Sequence, residues 1–329
     1  MQTIRPGDSG LAVSDVQKKL FDLGYTPPGF DAEMKEARFG ESTARAVRAF
    51  QEERGLRAEG EVDETTWQEL VEASFRLGDR FLYLRVPPFR GDDVREVQRY
   101  LNRLGFNAGR EDGIFGRDTD LALRAFQHNM ALPVDGIAGS STISCLQRLK
   151  HAMKDTSVAE VHEALQDLAT PRGLEGKSVV LDAAEGDAGA EEMLRLVSVE
   201  LLSLGLSASI TGGVSGSLSE SRRARLANDL GADLVLGLRE TAEPGLRVFF
   251  FGSRGYSSPR GRRLAELIHR ETESRAGREL PSPEARSHPL LRETRMPCVI
   301  VETPPEMDAL GVLVPALAKS VVTYFNPTE

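Results

Sequence analysis

Apolar residues in the first half of the chain recur every three or four positions, the spacing of helices that bury one face. Val13, Val16, Leu20 and Leu23 form one such stripe, and Val94, Val97, Leu101 and Leu104 form another. Thr43, Ala46, Val47 and Phe50, then Thr119, Ala122, Leu123 and Phe126, continue the pattern. Gly24 and Gly105 stand just past the first stripe of each set, where a helix end favours a left-handed residue. A third helix is expected in each set near Asp63 and Ser140, both of a capping residue type.

The two sets are copies of one another. Val16-Gln17, Leu20 and Leu23-Gly24-Tyr25 return 81 residues later as Val97-Gln98, Leu101 and Leu104-Gly105-Phe106. Phe39-Gly40, Thr43, Phe50-Gln51, Gly60, Thr66 and Leu70 return 76 residues later as Phe115-Gly116, Thr119, Phe126-Gln127, Gly136, Thr142 and Leu146. The change of offset places five extra residues between Tyr25 and Phe39, where Pro27, Pro28 and Gly29 predict an extended surface loop. A copy of ~70 residues has a small core. The two copies are therefore expected to pack together or to share a linker helix around residues 66–77.

Beyond residue 150 the texture changes. Residues 151–175 are polar, with one helix expected over 159–168. From Lys177 onward, short apolar runs at 178–181, 234–238, 247–251 and 298–301 alternate with helical stretches at 190–204, 219–230, 259–276 and 308–325. Such runs suit strands covered on both faces, and the alternation predicts an α/β sandwich. The expected fold is multidomain: two small all-α, three-helix repeats at 1–78 and 79–152, a linker at 153–175, and an α/β domain with a mostly parallel or mixed sheet at 176–329.

Composition narrows the function classes. Apolar residues make up 40% and charged residues 28%, as in an ordinary globular protein, and the net charge of −9 gives a nucleic-acid partner no bulk support. No run approaches the ~18 apolar residues of a membrane span, and the N-terminus lacks the basic and apolar regions of an export signal. The expectation is a cytoplasmic protein with no transmembrane segment. Cys145 and Cys298 sit in apolar runs and are expected to be buried free thiols.

The order Val-Gln-x-x-Leu-x-x-Leu-Gly-Tyr/Phe, Phe-Gly-x-x-Thr, Ala-Phe-Gln, Gly and Thr-x-x-x-Leu resembles the peptidoglycan-binding type 1 domain. The second copy is the nearer match, through Asp112, Gly113, Phe115 and Gly116, then Asp135 and Gly136. Most of these positions shape the fold. What the resemblance implies for them is a surface for a muropeptide ligand or a protein partner.

The α/β half resembles the N-acetylmuramoyl-L-alanine amidase type 3 family over residues 177–325. Val179-Val180-Leu181-Asp182 is similar to its first strand. Ser221-Arg222-Arg223 through Ala227-Asn228, then Gly231-Ala232-Asp233-Leu234-Val235, is similar to the segment before its second metal ligand. Met296-Pro297-Cys298-Val299-Ile300-Val301-Glu302 is similar to its last strand. The family's reaction implies a zinc ion held by two histidines and a glutamate, with a further glutamate as general base. Here the first histidine position holds Glu185 and the second holds Arg239. The glutamate ligand would come from Glu191 or Glu192, and Glu302 stands where the base belongs. Arginine keeps its proton and offers donors only, so it cannot ligate a metal. The expectation is therefore a vestigial site of Glu185, Glu191, Arg239 and Glu302, with no catalysis, no zinc and no other cofactor.

Arg239 is expected to pair with Glu302 or Glu185, as a structural salt bridge or as an anion site. A carboxylate-only site from Glu185, Glu191 and Glu302 would suit hard cations. His128, His151, His162, His269 and His288 lack partners at ligand spacing and read as surface residues.

Two such repeats ahead of a degenerate amidase domain resemble the CwlM-type family of actinobacterial amidase homologues. The segment from Ser74-Phe75-Arg76-Leu77-Gly78 to Gly91-Asp92-Asp93-Val94, the pair Leu238-Arg239, and Arg295-Met296-Pro297 carry the likeness. It implies regulation of peptidoglycan precursor synthesis through protein–protein contact, with the enolpyruvyl transferase MurA as target and a membrane Ser/Thr kinase upstream. That family's threonine-bearing C-terminal tail has no counterpart in Asn326-Pro327-Thr328-Glu329, which weakens the kinase expectation. The alternatives are an N-acetylmuramoyl-L-alanine amidase with an atypical metal site, or a muropeptide-binding module.

Overall fold

The computed structural model describes residues 3–149, 157–169, 173–184, 186–211, 218–241, 245–253, 256–305 and 308–326. They form two compact units that divide between His162 and Glu163.

The first unit contains the repeats. The first repeat comprises α1 (Leu11–Asp22), α2 (Phe30–Lys35), α3 (Glu41–Arg54) and α4 (Glu64–Ala73); the second comprises α5 (Asp92–Arg103), α6 (Arg117–Asn129) and α7 (Ser140–Arg148). Helix α8 (Val158–Ala169) contains the boundary between the units. The predicted stripes are the cores: Val13, Val16, Leu20, Val47 and Phe50 are buried in one, Val94, Val97, Leu101, Leu123 and Phe126 in the other.

The glutamines and threonines shared by the copies also have a structural cause. Gln17 Nε2 donates to the Thr43 hydroxyl at 2.9 Å and to the Arg38 carbonyl at 3.0 Å. Gln98 Nε2 does the same to Thr119 at 3.1 Å and to Ile114 at 3.0 Å. Gln51 with Thr66, and Gln127 with Thr142, repeat the clamp one helix later. The Gln51, Gln98 and Gln127 amides also accept through their oxygens from Gly60, Gly113 and Gly136, whereas the buried Gln17 Oε1 accepts no such bond among the described residues.

Two expectations need correction, and one pair of alternatives is decided. The five-residue insertion is not an extended loop: it forms α2, which buries Phe30 and Glu33. Glu33 accepts from the backbone N–H groups of Gly40, Ser42 and Thr43 and from the Thr43 hydroxyl, so it caps α3 from outside the helix. At the last helices, Asp63 caps α4 through Thr66 N, but the N-cap of α7 is Gly139 rather than Ser140. The repeats share no linker helix, since α4 ends at Ala73. An ion pair joins them instead. Arg54 donates to both Asp92 oxygens at 2.8 and 2.7 Å.

The second unit is a mixed sheet covered by helices. Its strands are β1 (Ser178–Ala183), β2 (Ser207–Ile210), β3 (Leu234–Glu240), β4 (Arg247–Ser253), β5 (Tyr256–Ser257), β6 (Glu284–Arg286) and β7 (Cys298–Thr303), in the order β2-β1-β3-β7-β4-β5 with β6 beside β4. Strands β2, β1, β3 and β7 run parallel, and β4 is antiparallel to β7. The helices are α9 (Ala188–Ser203), α10 (Glu220–Asp229), α11 (Pro259–Ala276), α12 (Pro289–Glu293) and, after a π-helical turn at Ala309–Leu313, α13 (Val314–Phe325).

Period-two alternation assigns the two faces. Val179, Leu181, Leu234, Leu236, Leu238, Val299 and Val301 pack in one core with Leu194 and Val197 of α9, Ile268 of α11 and Leu317 of α13. The opposite parity carries Asp182, Gly237, Arg239, Ile300 and Glu302. There Gly237 lies so close to Leu290 of α12 that an added Cβ would sit 3.3 Å from its methyl. Cys145 and Cys298 are both buried thiols, not joined in a disulfide.

Candidate functional site

Three neighbouring strands deliver charge to the same end of the sheet. Asp182, Arg239 and Glu302 end the apolar runs of β1, β3 and β7, and Arg239 and Glu302 are register partners. These are carboxyl ends of parallel strands, where open α/β sheets place their sites.

Arg239 does not pair with Glu302. Its Nη2 lies 2.7 Å from a carboxylate oxygen of the fully buried Asp182, and its Nη1 donates to the Asp182 and Leu238 carbonyls at 2.8 Å. Glu220 at the start of α10 accepts from the same Nη2 at 3.3 Å. Arg223, one turn along α10, pairs with the other Asp182 oxygen at 2.9 Å and with Glu220. Thr211 donates to Asp182 at 2.7 Å. The physical reason is competition. A buried carboxylate on β1 needs a cation, while Glu302 already has two on its other side. Burial alone would lower the pKa of Arg239, but Glu220 and Asp182 outweigh it and raise the value. Burial would raise Glu220, yet His288, Arg239 and Arg223 hold it below the usual carboxylate range.

Glu302 is held by Arg247 at 2.8 Å and Arg286 at 2.9 Å, one arginine on each oxygen. Arg247 is the register partner of Glu302 on β4, which fixes that pairing. The residue in the position of a general base therefore has both oxygens engaged by cations.

His288 corrects the sequence reading of a surface histidine. Its Nδ1 accepts from Leu290 N at 3.3 Å, capping α12, and its Nε2 stands 3.9 Å from Glu220. Burial, with Arg239 and Arg286 nearby, pushes its pKa down to about 4 against the pull of Glu220 and Asp182. It is neutral at pH 7. His269 is half-buried against the Leu280 carbonyl, and His151 lies outside the described residues.

The residues present do not fit a zinc ion. Among the described residues, no three of His, Cys, Asp and Glu converge as a metal site. The second ligand position is filled by a guanidinium with donors only. Glu191 sits on the first turn of α9 beside Arg195 at 3.6 Å, and Glu185 lies outside the described residues.

In the second repeat, Asp112 and Asp135 form turns. Each accepts from a clamp glutamine and from the backbone N–H two residues on. Gly113 and Gly136 take the positive φ those turns require, +75° and +71°. Gly116 is the N-cap of α6. Phe115 is fully buried and offers no surface to a ligand or partner, a correction to its place in the candidate set.

Sequence reasoning missed Glu220, Arg247, Arg286 and His288 as site residues. Arg247 opens an apolar strand, which was a usable signal. Glu220, Arg286 and His288 stand in polar stretches that carry none.

The putative peptidoglycan binding domain family matches residues 9–70 and 90–146, the two repeats. A spore cortex-lytic enzyme of Bacillus cereus is 33% identical over 172 residues, 46% of this chain and 66% of its own length. Among solved structures, the amidase Ami1 of Mycobacterium smegmatis aligns with a TM-score of 0.40 and 13% identity, over 46% of this chain and 98% of its own. The N-acetylmuramoyl-L-alanine amidase CwlM of Mycobacterium tuberculosis is 35% identical over 334 residues, 91% of this chain and 81% of that protein. An identity of that extent, running through both repeats and the α/β unit, makes this chain a member of the CwlM family of amidase homologues.

Proposed function

We propose that this protein is a non-catalytic amidase homologue that acts in the cytoplasm and regulates peptidoglycan precursor synthesis by binding another protein, with MurA as the candidate partner. The observation that carries the reading is the Arg239 guanidinium, committed to Asp182 and Glu220 where a metal ligand would stand. The clamp of Arg247 and Arg286 on Glu302 supports it, because both oxygens of that carboxylate are already engaged by cations. The test measures enolpyruvyl transfer by purified MurA with and without stoichiometric full-length protein. A changed turnover together with co-elution supports the reading; unchanged turnover and separate elution contradict it.

A second reading, muropeptide binding by the repeats, is favoured by the domain family that matches both. Titration of a muramyl peptide into the full-length protein tests it, and flat heats to millimolar ligand count against it.

A further inference from the structure

We propose that the arginine pair around Glu302 is a binding site for a small-molecule carboxylate, beside the more deeply buried network around Asp182. Arg247 and Arg286 each use one terminal nitrogen on Glu302 and keep further N–H groups, since a guanidinium carries five donors. Both lie against the ring of the buried Phe249, Arg286 at 3.4 Å and Arg247 at 5.7 Å from its centroid. That wall fixes the forks in place before a ligand arrives, which lowers the entropy lost on binding.

Exposure differs across the two networks. The side chains of Asp182, Arg223 and Arg239 are 0%, 6% and 10% accessible, and Glu220, at 22%, is the most exposed member of the inner network. Arg247 is 28% and Arg286 13% accessible, so this pair reaches solvent beside Glu302.

Charge selects the ligand class. Among the described residues, Arg223, Arg239, Arg247 and Arg286 surround three carboxylates, Asp182, Glu220 and Glu302, leaving one positive charge in surplus. His288, neutral at pH 7, adds none. The exposed Glu284 also attracts Arg286 and offsets part of that surplus. One carboxylate balances the surplus, and two parallel N–H donors match its geometry. A phosphate group, with nearly two negative charges, overshoots it.

The proposal does not depend on the regulatory reading. Assays of MurA and of hydrolysis decide that one, and the comparison of an acid with its amide decides this one. The experiment is calorimetric titration of the full-length protein with N-acetylglycine, its neutral amide, and inorganic phosphate at constant ionic strength. Saturable binding of the acid alone is expected. Arg247→Lys, which keeps the charge but loses the fork, weakens it roughly 10-fold. Glu302→Gln, which raises the surplus by one charge, tightens it roughly 10-fold or more. If Glu302→Gln fails to fold, the amide control and Arg247→Lys decide alone. No binding of the acid, equal binding of the amide, tighter binding of phosphate, or an unchanged affinity in a folded Glu302→Gln each overturns the proposal.

Discussion

Arg239 Nη2 lies 2.7 Å from Asp182 Oδ2, and the Asp182 side chain has no solvent exposure. A buried carboxylate with two arginines is costly to disturb from one side only. Asp182→Ala, which strands Arg239 and Arg223, is expected to cost about 3–5 kcal/mol in urea unfolding of the α/β unit. Arg239→Met is expected to cost less, because Asp182 keeps Arg223 and Thr211. An equal or reversed order would show that Arg223 and Thr211 do not compensate for the loss of Arg239.

His288 makes stability depend on pH. Its folded value of about 4 lies below the ordinary 6.5, so between those values the unfolded chain binds a proton that the folded one does not. Stability therefore falls as pH drops from 6.5 toward 4, by about 1.4 kcal/mol per pH unit at most. His288→Asn, which keeps an acceptor for Leu290 N, is expected to flatten that slope. Unfolding free energies at pH 7, 6 and 5 for both proteins check it.

In the first repeat, Glu33 accepts four hydrogen bonds at the head of α3, between 2.7 and 3.0 Å. Burial raises its pKa, but donors from Thr43, Ser42 and Gly40 outweigh burial and lower it below 4.5. Its contribution is therefore full above pH 4.5 and is lost as pH falls through the folded value. Glu33→Ala is expected to destabilise the repeat unit by about 2–3 kcal/mol, since several donors lose their partner together. Circular dichroism of the helical unit during denaturation reads the change.

The two repeats are joined through Arg54 and Asp92, a bidentate pair whose arginine side chain is only 9% accessible. Burial would lower the Arg54 pKa, yet Asp92 raises it, so the pair stays charged. Arg54→Ala is expected to cost about 1–3 kcal/mol and to broaden the unfolding transition of the unit, as the copies lose cooperativity. An unchanged transition would show that the copies are held by other contacts.

Much of this fold was legible because it is written in apolar periodicity. The stripes of both repeats and the four long strands follow directly from Val, Leu, Ile and Phe spacing. Strands β2 and β6 were not legible: Ser207-Ala208-Ser209-Ile210 and Glu284-Ala285-Arg286 are short and polar, and only pairing with a longer neighbour makes them strands. Helix α2 was masked by Pro27, Pro28 and Gly29, which mark its entrance rather than a loop throughout. At the site, the replacement of a ligand by Arg239 could be read from the chain. Its partner could not, because Asp182 is 57 residues away and is reached only when β1 and β3 lie side by side. His288 was misread for a similar reason: its loop looks solvent-facing until α10 and α12 come together around it.

The central claim is that an arginine network stands where the family's chemistry would place zinc. Metal analysis of the purified full-length protein, dialysed with zinc and assayed for muramoyl-L-alanine cleavage in the same sample, tests it most directly. Well under one zinc per chain and no cleavage is the expected result. One tightly held zinc per chain with measurable cleavage would contradict it.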